Sequence, residues 1–145
     1  MQLEPQTGVF TSKIEREIQG LSWYLGLHEG FHCVTVEGPA AARTEVRLRL
    51  ERLTQVERSV EPAAFLERSR GSAARTDTVQ WVEAESVAAL DPWIQQLRTG
   101  RDSLNRANAG LVILASAQGL WQHVARTAPD LSTMLGAHFI LDEEP

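Results

Sequence analysis

Cysteine occurs once, at Cys33, so no disulfide can close within the chain and a cysteine-based metal cluster is excluded. Lysine also occurs once, at Lys13, and every other basic side chain is arginine. Basic groups are outnumbered, 14 against 19 acidic, which gives a net charge of −5 and a pI near 5.4. Charge-driven binding to nucleic acid needs a concentrated basic surface, so that class of function is disfavoured. The sequence has no apolar run of membrane-spanning length, no basic-then-apolar leader, no internal repeat and no low-complexity tract. The reading is a cytoplasmic protein with no nucleic-acid or membrane partner.

What the sequence does have is ordinary globular composition, 43% apolar and 23% charged over 145 residues. That length suits a single domain with one packed core. Ile14, Ile18, Leu21 and Leu25 recur at helical spacing, with Thr11 or Ser12 as cap. Gly26 and Gly30 interrupt this pattern, and Phe31 to Val36 reads as a strand closed by Gly38-Pro39. Between residues 40 and 53 two periods compete. Val46, Leu48 and Leu50 alternate, whereas Ala42, Val46, Leu50 and Leu53 share a helical face. Alanine, arginine, glutamate and leucine dominate there and Pro39 can open a helix, so a helix is expected.

Residues 54 to 75 carry little signal: a short strand near Val60, a helical turn over Ala63 to Leu66, then a loop at Ser69 to Ser72. Thr78 to Val82 reads as a strand, and Asp91-Pro92 as a helix start with aspartate as cap. Trp93, Ile94, Leu97 and Leu104 lie along that helix, which should stop near Gly110. The uninterrupted run Leu111 to Ala115 is expected at the centre of the sheet, covered on both faces. A helix over Gly119 to Arg126, with Leu120, Trp121 and Val124 inward, a helical turn at Leu131 to Leu135 and a last strand at Ala137 to Leu141 complete the series. The fold expected is α/β, a small three-layer domain with a mainly parallel sheet of four to five strands flanked by helices.

Three patterns raise chemistry. His28-Glu29-Gly30-Phe31-His32 satisfies H-E-x-x-H, in which two histidines one helical turn apart bind zinc and the glutamate activates water. The pattern requires a helix through both histidines, yet Gly30 interrupts it and a strand begins at Phe31. The extended signature also fails, because Thr35 stands where glycine is needed. The second pattern, Glu37-Gly38-Pro39-Ala40-Ala41-Ala42-Arg43-Thr44, lies where a phosphate-binding loop would lie, between a first strand and a helix. It lacks the second glycine and the lysine that such a loop uses to cradle phosphates.

The third is Ser116, at the carboxyl end of the central strand where ligands of parallel sheets bind, with His123 and His138 flanking the region. The serine lacks the glycine-flanked elbow of a hydrolase. Trp81, Trp93 and Trp121 read as core, whereas Trp23, beside Tyr24 on the first helix, reads as an exposed contact. These residues assign no catalytic group and no cofactor. A zinc-dependent metallohydrolase using His28, Glu29 and His32, and a small-ligand sensor near Gly38 and Ser116, are the alternatives.

The order Leu104-Asn105-Arg106, Gly110-Leu111-Val112-Ile113-Leu114, Ala128-Pro129-Asp130-Leu131 and His138-Phe139-Ile140-Leu141 resembles the C-terminal part of an α/β domain of bacterial signalling and defence proteins. In those proteins it precedes tetratricopeptide repeats or accompanies STAND-class NTPases. The run from Gly30 to Val36 is similar to its first strand. Two places depart from that pattern: Ala115-Ser116-Ala117-Gln118 replaces tryptophan, leucine and proline, and Ser132-Thr133-Met134 replaces a tryptophan pair. The resemblance implies a degenerate nucleotide-binding-like fold without the phosphate loop, used as a non-enzymatic interaction or adaptor module. A STAND NTPase or a tetratricopeptide protein would be its partner. The acidic end Asp142-Glu143-Glu144-Pro145 fits the start of a linker, as in the first domain of a longer protein.

Overall fold

The computed structural model describes residues 16–23, 31–58, 78–106, 110–132 and 137–141. Five parallel strands form one sheet: β1 (Phe31–Glu37), β2 (Gln55–Arg58), β3 (Thr78–Glu83), β4 (Gly110–Ser116) and β5 (Ala137–Ile140), in the order β2-β3-β4-β1-β5. The helices are α1 (residues 16–23), α2 (Ala40–Leu53), α3 (Asp91–Arg106), α4 (Leu120–Thr127) and α5 (Pro129–Ser132), and a 3-10 turn at Val87–Leu90 leads into α3. The fold is the three-layer α/β domain that the sequence implies, with every described strand parallel.

All seven residues of β4 are buried, which explains their unbroken apolar character: the strand has a helical layer on either side. Along β1 the side chains alternate. Phe31 and Cys33 enter the core under α3 and α4, while Val34 and Val36 enter the core under α1 and α2. Trp81 and Trp93 are buried, one in each core. Each leucine-sized side chain so buried contributes about 1.5–3 kcal/mol relative to exposure.

Segment 40–53 is helical because Ala42, Val46 and Leu50 repeat at four-residue spacing and face the sheet. Its outer face is laced by Glu45–Arg49 at 2.9 Å and Arg47–Glu51 at 2.8 Å. The first of these has the glutamate on the N-terminal side, the more favourable direction. α1 lies close over β5, since a Cβ on Gly20 would come within 2.8 Å of the Phe139 ring.

Several expectations are corrected. A strand that the sequence did not mark forms at Gln55–Arg58, because its backbone pairs with β3 along Gln55–Thr78 to Arg58–Trp81 although its side chains carry no apolar pattern. Asp91 is itself helical (φ −54°, ψ −42°) rather than a cap, since the 3-10 turn runs straight into α3. Ser86 serves as cap for that turn, accepting from the Ala89 N–H at 3.3 Å. Trp121 is half-buried and stacks on His138 instead of entering the core, with ring centroids 4.5 Å apart and planes 5° from parallel. Thr11, Ser12, Ile14, Leu25, Gly26, Val60, the turn at Ala63 to Leu66 and the loop at Ser69 to Ser72 lie outside the described residues.

Candidate functional site

The helix after β1 and the helix after β4 pack on opposite faces of the sheet, and β1 and β4 are neighbours. Their carboxyl ends therefore form the topological switch point, the place where open parallel sheets receive ligands. Glu37, Gly38, Ser116 and Gly119 converge there, joined by Arg43 and Glu83 on the face that α2 covers.

Only Gly38 and Pro39 separate β1 from α2. A phosphate-cradling loop needs several residues whose N–H groups turn inward, and proline has no N–H to offer. The turn is also tied down. The Gly38 N–H donates to the Ser116 carbonyl at 3.1 Å, and the Leu141 N–H donates to the Glu37 carbonyl at 2.7 Å. Gly38 has φ 154°, and a Cβ there would lie 2.5 Å from the Leu141 carbonyl oxygen. Only glycine fits this close approach.

Side chains of the chain itself fill the rest of the switch point. Glu37 is buried, with 5% of its surface exposed. It accepts the Gly119 N–H through Oε2 and the Trp121 N–H through Oε1, each at 2.9 Å. A carboxylate thus sits at the positive end of α4, where a bound anion would be favoured. Across the sheet, Arg43 folds back from the first turn of α2. Its Nε donates to the Gly38 carbonyl at 3.0 Å and its Nη1 to Glu83 Oε2 at 2.6 Å. The other oxygen of Glu83 accepts from Trp81 Nε1 at 2.9 Å. A cation in the first turn opposes the helix dipole, and Glu83 with the Gly38 carbonyl compensates it.

Ser116 is fully buried on the face shared with Glu37 and Thr35. Among the described residues neither its hydroxyl nor that of Thr35 has a hydrogen-bond partner, so no described base is bonded to the serine. His123 is engaged elsewhere, its Nε2 2.6 Å from Asp91 Oδ1, and His138 stacks on Trp121. The structure brings Gly38 and Ser116 together, as the ligand-sensor reading requires, and leaves the two flanking histidines out of the cluster.

His32 lies in β1, in register with Leu111, so the single helix that H-E-x-x-H needs does not pass through it. His28, Glu29 and Tyr24 lie outside the described residues. Among the described residues no group of three or more His, Cys, Asp or Glu side chains is arranged to hold a metal ion. No described helix is long and apolar enough to cross a membrane. Trp23, at 64% exposure, is the most exposed large apolar side chain described.

Sequence reasoning named Glu37 and Arg43 within the Glu37 to Thr44 pattern without giving either a role, and missed Glu83. One signal was present: Glu37 ends a strand rich in apolar side chains, Phe31, Cys33, Val34 and Val36, and Arg43 falls beside Ala42 and Val46 on the inward face of its helix.

No protein-family model and no curated protein matches the chain. Among solved structures it is similar to the Aeropyrum pernix ORC2 protein in its ADPNP–ADP complexes, at 12% identity and a TM-score of 0.39. The match covers 97% of this chain and 48% of that one, so the chain spans about half of that protein. So distant a likeness carries no functional argument.

Proposed function

We propose that this chain is a non-enzymatic protein-interaction module, a nucleotide-binding-like scaffold that has lost its phosphate loop and serves as an adaptor in bacterial signalling or defence. The observation that supports this is the occupied switch point: Glu37 takes the helix N-terminus that an anion would use, and Arg43 is spent on Glu83 and Gly38. With Glu37 on the Gly119 and Trp121 amides and Arg43 on Glu83 and Gly38, the donors and the positive charge that a phosphate would use at these positions are already engaged. The exposed Trp23 offers the large, rigid apolar area on which interfaces are anchored. By the resemblance in the sequence, the partner is a STAND NTPase or a tetratricopeptide protein of the same organism.

Calorimetry of the purified chain with ATP, with ADP and with zinc should give no binding heat. The immobilised chain should retain such a partner stoichiometrically, and Trp23→Ala should release it. Saturable nucleotide binding that is lost on substituting Ser116, or stoichiometric zinc lost in His32→Ala, would overturn the proposal.

The buried, unpartnered hydroxyls of Thr35 and Ser116 favour a second reading, a sensor of a small polar ligand at the strand ends. A metabolite-panel thermal shift that disappears in Ser116→Ala would support it over the adaptor.

A further inference from the structure

We draw no further inference here: the strongest candidate, the patch that Ile140 and the stacked Trp121 and His138 rings form along the outer strand β5, is left exposed with nothing in the structure to show what covers it.

Discussion

Arg43 and Glu83, forty positions apart in the sequence, meet at 2.6 Å and tie the start of α2 to the end of β3. The arginine side chain is 3% exposed and the glutamate 20%. Removing the carboxylate strands a buried guanidinium, which costs more than the pair itself contributes. Glu83→Ala should therefore lower unfolding stability by about 3 kcal/mol, and the double variant Arg43→Met/Glu83→Leu should lose less than that single one. Urea denaturation of both decides it. A double variant less stable than Glu83→Ala would refute this account of the pair.

The Glu37 carboxylate acts as a cap delivered from another element of the fold. Glu37→Ala leaves the Gly119 and Trp121 N–H groups without their acceptor, at a cost of about 1–2 kcal/mol. Glu37→Gln, which keeps one good acceptor, should cost less. Hydrogen exchange at the two amides reads this directly, and protection unchanged in Glu37→Ala would show that another group caps α4.

Thr35 and Ser116 should behave against habit. A buried hydroxyl without a partner opposes folding, so Thr35→Val and Ser116→Ala should leave stability unchanged or raise it by about 1 kcal/mol. A loss of similar size would reveal a structural water bound between them.

Alanine at Gly38 meets the Leu141 backbone at 2.5 Å in a conformation that L-residues rarely adopt. Gly38→Ala should destabilise by about 2 kcal/mol and weaken the Leu141 N–H to Glu37 bond, visible as faster exchange of that amide. Wild-type stability and exchange would contradict the close packing of the turn.

Burial pushes the Cys33 thiol up to about 12. Since the thiolate is the reactive form, alkylation of the native protein at pH 8 should be on the order of a thousandfold slower than after unfolding. The folded state favours the neutral thiol, so the resulting stability is whole below the ordinary thiol pKa of about 8.5 and declines as pH rises from there toward 12. Cys33→Ala should remove that part of the alkaline loss. An identical pH profile for both proteins would count against it.

The layers of the fold were legible because burial leaves a local imprint. Leu111 to Ala115 is apolar throughout because both of its faces are covered, and Ala42, Val46 and Leu50 keep helical spacing because one side of α2 is. β2 left no imprint: Gln55 and Arg58 are exposed on the outermost strand, which is held mainly by its backbone. Asp91 misled for a related reason, as aspartate before proline normally caps a helix, but here its carboxylate bonds His123. The candidate site was least legible. Gly38 and Ser116 could be placed from the ends of apolar runs, but Glu37 and Gly119 are 82 residues apart, and no local pattern records that pairing.

The strand order carries a consequence for biosynthesis. β1 is flanked by β4 and β5, the last two strands of the sheet to be translated. Its ladder cannot form until Gly110 and the residues beyond it have left the ribosome, so Phe31 to Glu37 is synthesised early and must wait unpaired. Of the five strands it is therefore the one with the longest need of chaperone protection, and the one through which a stalled or truncated chain would aggregate.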